Sequence, residues 1–210
     1  MKRLLAWLAL LSGTAGVVLA AEADQPIIAV TPVFSQLVSY TLPAGFKPAF
    51  SDVNESAYIQ EAVPAADSVE NWSQMITMMG MKGMASGDQP LAAAAQTMLA
   101  RYREACPDTL AAQSFGASEI DGRETLTVFL GCGTVATAQG SVSETAVIIF
   151  IKGQSDVYTL QWATHADAQP TAPDYDIAVW SPRMAQLLPI RICDRVDGEA
   201  APYQSCIDKP

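Results

Sequence analysis

The sequence has 210 residues, of which 22 are acidic and 12 are basic, so its formal net charge is −10. Nucleic acid and anionic membrane surfaces both require a basic face, and this excess of acid argues against either as a partner. Hydrophobic residues make up 50% of the chain, a share that is typical of a globular protein with a buried core.

The first 20 residues have the layout of a secretory signal peptide. Lys2 and Arg3 form a basic start, and a mostly apolar stretch follows as far as Ala20. We expect cleavage after Ala20, which leaves a single domain over residues 21–210. No later apolar run approaches the roughly 20 residues that cross a bilayer. The sequence therefore predicts a periplasmic or secreted protein with no membrane span after signal removal.

Extended segments dominate the start of the predicted domain. Pro26 and Pro32 keep a helix from running through residues 21–35, which we expect to be an extended lead-in. Residues 37–42 and 57–63 are rich in apolar residues and are each followed by proline, which is typical of strands that end in turns. The domain is therefore expected to begin with strands.

One long helix is predicted between Pro90 and Cys106. Its apolar stripe recurs at steps of three and four residues and consists of Leu91, Ala95, Met98, Tyr102 and Ala105. Pro90 suits the first helical position, and Cys106 with the proline after it ends the pattern. The stripe predicts a helix that packs on a sheet through one face.

Four more strands and a short helix are predicted after the long helix. The strands are expected over residues 110–115, 124–130, 145–152 and 157–165, with a hairpin between the last two. The third of these strands is apolar on both faces and should be central, whereas the fourth alternates and should have one wetter face. Ser181 and Pro182 favour a helix over residues 181–188. This order favours an α+β fold, with a mostly antiparallel sheet packed by one long and one short helix.

All four cysteines, Cys106, Cys132, Cys193 and Cys206, lie in the predicted mature domain. An even number of cysteines in an oxidising compartment predicts two disulfides. Of the three possible connectivities, spacing favours Cys106 with Cys132 and Cys193 with Cys206, and the second pair would tie down the C-terminal tail. A zinc site is the alternative, but the sequence has no C-x-x-C pair and only one histidine.

Methionines are concentrated in residues 74–84. On a strand, Met75, Met79 and Met81 would face the same way, and thioethers are soft ligands that suit Cu(I). These three residues are therefore candidate ligands of a copper site. The pattern nevertheless favours core packing, because methionine packs well into irregular space, and the copper site is the alternative.

No complete catalytic motif is present. His165 is the only histidine, and the sequence has neither a G-x-S-x-G elbow nor an H-E-x-x-H helix in which a histidine would act. Paired carboxylates can carry out glycoside hydrolysis, which depends on their separation in space. The acids that lie near one another in the sequence are Glu55, Glu61 and Glu70, and Asp174 with Asp176.

A short motif stands at residues 71–77, which read N-W-S-Q-M-I-T and fit the form N-W-[ST]-x-M-[IV]-T. Together with residues 58–61 and 158–162, it resembles small exported proteins of Gram-negative bacteria that carry such a core. The resemblance spans most of residues 36–193 and rests on aromatic and aliphatic residues, so it implies export and assigns neither a function nor a catalytic residue. The order of elements is also similar to that of PsbP-like α/β/α domains, which is an analogy of fold.

The sequence favours a non-enzymatic binding or interaction domain, because it has no assembled nucleophile, metal or phosphate motif. Its partner would be an envelope protein or a small ligand, and no cofactor is expected. The candidate lining of a ligand groove consists of Trp72, Trp162, Trp180 and His165, although large aromatic side chains also build cores. Two alternatives remain open, a carboxylate-dependent hydrolase of envelope material and a methionine-based Cu(I)-binding protein.

Overall fold

A computed structural model describes residues 25–87, 90–138 and 140–209. The predicted signal peptide, residues 1–20, lies outside the described residues. In the part of the chain that the structure describes, no helix is both long enough and apolar enough to cross a lipid bilayer.

Strands make up most of the described chain. They are β1 (Ile27–Val33), β2 (Gln36–Leu42), β3 (Phe46–Val53), β4 (Ala57–Pro64), β5 (Gln74–Met81), β6 (Leu110–Ile120), β7 (Arg123–Thr137), β8 (Gly140–Lys152), β9 (Val157–Asp167) and β10 (Arg191–Asp194). The helices are α1 (Leu91–Ala105), α2 (Ile177–Gln186) and α3 (Gln204–Ile207). Every strand and both main helices predicted from the sequence are present, and the strands extend further than their apolar cores indicated.

The strands form two antiparallel sheets. The larger has seven strands in the order β3-β4-β5-β9-β8-β7-β6, and the smaller consists of β1, β2 and β10. Helix α1 packs across β7 and β8 on one face of the large sheet. The small sheet and α2 contribute to the apolar cluster on the other face. The predicted α+β class, with a mostly antiparallel sheet, is therefore confirmed.

Strand β8 is central, as its apolar sequence predicted. Its residues 146–151 are at most 6% exposed. Alternate side chains enter different clusters, because Ile149 and Ile151 join the core under the small sheet, whereas Ile148 and Phe150 join the cluster under α1. A strand that is covered on both faces has no polar side, and this explains the continuous apolar run.

The prediction of one wetter face on β9 is confirmed only in part. On that face Gln161 and His165 are partly exposed, whereas the opposite face is buried as far as Trp162. Thr159 is only 2% exposed, although it lies on the polar side of the alternation. The cluster under α1 extends across this face of β9 through Val157 and Ala163, so much of the face is covered. Only the end of the strand, at Ala166 and Asp167, is exposed.

Strands β3, β5 and β10, helix α3 and the start of α2 were not predicted. β3 is an edge strand whose residues are exposed after Phe46, so it lacks the apolar alternation by which strands are identified. Helix α2 begins at Ile177 and not at Ser181, because the Asp176 carboxylate caps it by accepting a hydrogen bond from the Ala178 amide, at 2.8 Å. Pro182 consequently lies inside the helix and not in its first turn.

Both disulfides join the cysteines that the spacing favoured. The Cα atoms are 5.6 Å apart in Cys106–Cys132 and also in Cys193–Cys206. The first bond links the end of α1 to β7. The second links β10, which pairs with β2, to α3, so the tail that was expected to be irregular is partly built into the small sheet. Two such bonds fit an oxidising compartment.

Candidate functional site

The four residues predicted to line one groove lie on different faces of the sheet. Trp162 and Trp180 are each only 3% exposed and belong to the core under the small sheet, so the prediction of a shared tryptophan groove is wrong. The indole nitrogen of Trp162 donates a hydrogen bond to the Gln74 side-chain oxygen, at 3.0 Å. Both rings therefore pack in the core.

Trp72 and His165 do lie together. Their rings stack with centroids 3.4 Å apart and an angle of 24° between the ring planes. Trp72 is half-buried against the cluster under α1, just before β5, and His165 lies near the end of β9. The backbone joins them as well, because the His165 amide donates to the Ser73 carbonyl at 3.0 Å.

Glu144 is the third member of this group. It lies directly opposite His165 in the pairing of β8 with β9, and Nε2 of His165 is 3.1 Å from Oε2 of Glu144. Because an ionised carboxylate only accepts hydrogen bonds, this contact places the donated proton on Nε2. The other carboxylate oxygen, Oε1, accepts a hydrogen bond from the Tyr102 hydroxyl of α1 at 2.9 Å. Both oxygens of Glu144 are therefore engaged.

The Tyr102 hydroxyl acts as a fixed donor. Burial raises the pKa of Tyr102 well above its usual value, and the charge of Glu144 and the hydrogen bond to it raise that pKa further. The phenol consequently keeps its proton at any physiological pH. It connects α1 to the end of the large sheet at the point where Glu144 and His165 meet.

The loop that carries Trp72 is held in place by an acid. The Asp67 carboxylate accepts hydrogen bonds from the hydroxyl and the amide of Ser73, both at 2.7 Å. These two bonds hold the pKa of Asp67 below its usual value. A backbone bridge between Ser68 and Asn71 closes the same loop. Trp72 is therefore presented from a loop with a defined shape.

These residues border a cavity of about 430 Å³, which we name the Trp72 cavity. Its lining includes Glu70, Asn71, Trp72, Val142, Glu144 and His165. This volume lies within the usual range for small-molecule sites, roughly 300 to 1,000 Å³. Among the described residues that line it there is no lysine and no arginine, whereas two are glutamates. The cavity thus combines an aromatic ring with negative charge.

The other acids considered from the sequence have separate locations. Glu61 lies in β4, where burial raises the pKa of its carboxyl. Asp176 caps α2, and Asp174 and Glu55 are exposed. Only Glu70 among the predicted acids therefore lines the Trp72 cavity.

The predicted copper ligands are divided between two places. Met75 is 7% exposed and pairs with Ala163 in the sheet, away from the other two. Met79 and Met81 line a second cavity, together with Met84 and Met98 of α1. In the part of the chain that the structure describes, no group of three or more histidine, cysteine, aspartate or glutamate side chains is arranged to hold a metal ion.

Glu144 and Tyr102 are the site residues that sequence reasoning missed. Glu144 precedes the apolar run of β8 and has no acidic neighbour that would draw attention to it. Tyr102 belongs to the apolar stripe of α1, so its ring indicated packing and its hydroxyl was overlooked. The sequence did predict a short hairpin between β8 and β9. The register of that hairpin places Glu144 opposite His165, so counting back from the turn could have identified Glu144.

No protein-family model and no curated protein matches this chain. Among solved structures, the Ran-binding protein Mog1p of Saccharomyces cerevisiae is similar over 79% of this chain and 86% of its own, with 12% identity and a TM-score of 0.42. A mutant of protein Mog1 is similar over 78% of this chain and 86% of its own, with the same identity and TM-score. At this level the likeness carries no functional inference.

Proposed function

We propose that this protein is an exported, non-enzymatic binding domain that holds a small amine-bearing ligand in the Trp72 cavity. The observation that carries this proposal is the composition of the cavity wall, where an indole ring stands beside two glutamates without a neighbouring lysine or arginine among the described lining residues. Aromatic rings attract cations, and carboxylates form charge-assisted hydrogen bonds with ammonium groups.

The two glutamates have different roles in this proposal. Glu144 is held by Tyr102 and His165 through both of its oxygens, so it supplies a fixed negative charge. Glu70 is exposed, and no described residue donates a hydrogen bond to its carboxylate. Glu70 therefore has free acceptors for an incoming ammonium group, and Trp72 offers the aromatic wall.

The exported location is part of the proposal. Its support is the predicted signal peptide over residues 1–20 and the two disulfides, which are characteristic of oxidising compartments such as the periplasm. The resemblance to exported Gram-negative proteins rests on residues 71–77, and the first two of these, Asn71 and Trp72, line the cavity.

Spermidine is a suitable probe because it carries ammonium groups on a flexible chain. We expect it to quench or shift the tryptophan fluorescence and to bind with a measurable Kd by calorimetry. Glu70→Gln removes one charge-assisted hydrogen bond and Trp72→Leu removes the ring, so each change should raise the Kd by about fivefold to tenfold.

Glu119→Gln is the matched control for the glutamate change. Glu119 lies on β6, is exposed and does not line the Trp72 cavity, so its loss removes the same overall charge without altering the site. Equal weakening by Glu119→Gln and Glu70→Gln would show nonspecific attraction to an acidic protein, and would contradict the proposed site.

A carboxylate-dependent hydrolase is the second candidate function. It is favoured by the presence of Glu70 and Glu144 in one cavity, since a pair of acids is what glycoside hydrolysis requires. Incubation with peptidoglycan fragments as the envelope glycan and mass analysis of the products tests it. Cleavage that disappears in both Glu70→Gln and Glu144→Gln would replace the binding proposal, and an intact substrate would remove the hydrolase.

A further inference from the structure

The second cavity lies between the end of β5, the loop that follows it and α1. We name it the methionine cavity, and its volume is about 310 Å³. The residues that define it are Met79, Met81, Lys82, Met84, Met98 and Arg101. It shares no lining residue with the Trp72 cavity and is therefore a separate site.

Four methionines contribute flexible apolar side chains to this wall. Methionine adapts to irregular or variable ligand shapes, because its side chain is unbranched and polarizable. Met84 is 40% exposed, so the wall is accessible from the loop side, while Phe150 closes the floor from β8 at 0% exposure. Such a lining suits a linear hydrocarbon chain.

Two cationic residues line the same cavity. Lys82 and Arg101 are exposed, and neither forms an ion pair with a described residue. Lys82 Nζ lies 5.7 Å from the centre of the Phe34 ring. In a chain with 22 acids against 12 bases, two unneutralised cations beside one apolar cavity point to an anionic ligand.

We propose that the methionine cavity binds a fatty acid, with the acyl chain among the methionines and the carboxylate at Lys82 and Arg101. This inference goes beyond the function proposed above, because it concerns another cavity and a ligand of opposite charge. Apolar burial supplies affinity for the chain, and charge complementarity selects the head group. The two cations also oppose Cu(I), the other ligand that thioethers favour.

Calorimetric titration with three ten-carbon probes tests the proposal on the disulfide-intact protein. The probes are decanoate, decanol and decyltrimethylammonium, which share a chain and differ in charge. We expect decanoate to bind with a Kd at least about fivefold lower than that of either other probe. A Kd for decanoate that equals or exceeds the Kd for decanol or for decyltrimethylammonium would overturn the proposal.

Substitution of two arginines on α1, one inside the cavity lining and one outside it, tests where the decanoate carboxylate binds. Arg101→Gln should raise the Kd for decanoate by about threefold to fivefold, and the double change Lys82→Gln/Arg101→Gln should raise it further. Arg103→Gln makes the same change two residues along α1, at an exposed position outside the cavity lining, and should leave the Kd unaltered. Equal effects of Arg101→Gln and Arg103→Gln would contradict the assignment.

Two further experiments distinguish the methionine cavity from the Trp72 cavity and from a copper site. Trp72→Leu should leave decanoate binding intact, so failure of the Trp72 cavity as a ligand site and failure of this proposal are distinguishable. Cu(I) is titrated in the presence of ascorbate as the metal probe. Stoichiometric Cu(I) binding without measurable decanoate binding would overturn the proposal in favour of a thioether metal site.

Discussion

Replacing Cys106 and Cys132 together by alanine is expected to lower the free energy of unfolding by roughly 3 to 4 kcal/mol. The two cysteines are 26 residues apart, and opening the loop between them releases the unfolded chain from a constraint. Urea unfolding under non-reducing conditions measures the loss. A decrease below about 1 kcal/mol would show that this bond is dispensable to the fold.

The same change should also weaken ligand binding, because Cys106 follows the last turn of α1, four residues after Tyr102. Loosening that turn releases the Tyr102 hydroxyl from Glu144, which is held only 2.9 Å away. Cys193→Ala with Cys206→Ala is the matched control. Its loop is shorter, with a separation of 13 residues, and it should lose roughly 3 kcal/mol while leaving spermidine binding intact.

Asp156→Ala is expected to destabilise the protein by roughly 3 to 4 kcal/mol, because several donors lose a common acceptor. Asp156 is 2% exposed in the β8–β9 hairpin. Its carboxylate accepts hydrogen bonds from the Ser35 hydroxyl at 2.7 Å and the Gly83 amide at 2.8 Å, and the Tyr158 hydroxyl is also bonded to it. One side chain thereby joins the β1–β2 turn, the loop after β5 and the hairpin.

The stability conferred by Asp156 should depend on pH in a defined direction. Burial acts to raise the pKa of this carboxyl, but the hydrogen bonds from Ser35, Gly83 and Tyr158 outweigh burial and lower that pKa in the folded state. The stabilisation is therefore complete above the unfolded value of about 3.9 and is lost as pH falls through the lower folded value. Urea midpoints of the wild type and Asp156→Asn should converge as pH falls from 5 towards 2, and a constant difference would contradict this assignment.

Local pattern was sufficient for most of the fold. The stripe that includes Leu91 and Tyr102 predicted α1, and the continuous apolar run of β8 predicted a strand covered on both faces. Both signals arise from burial of neighbouring residues in one element. β3 was not predicted because an exposed edge strand has no buried face and therefore no apolar alternation. The start of α2 was placed too late because Ser181 and Pro182 are typical of a first helical turn, whereas Asp176 is the residue that caps the helix.

The candidate site depends on contacts between elements, and these are only partly encoded in local pattern. His165 and Trp72 were identified, but Glu144 lies 21 residues before His165 and meets it through strand register. Trp162 was a candidate for the groove but packs in the core, as large aromatic side chains more often do. The sequence does not say which face of the sheet a helix or a second sheet covers. Met79 and Met81 were identified correctly as neighbours, whereas Met98 joins them from a helix on another part of the chain.

Amide chemical-shift mapping shows whether an amine-bearing ligand binds in the Trp72 cavity. The uniformly 15N-labelled protein, with both disulfides intact, is titrated with spermidine. We expect saturable shifts concentrated in residues 69–72, 142–144 and 165, and their loss in Glu70→Gln. Shifts spread evenly over the acidic surface, or no shifts at millimolar spermidine, would contradict the proposed site.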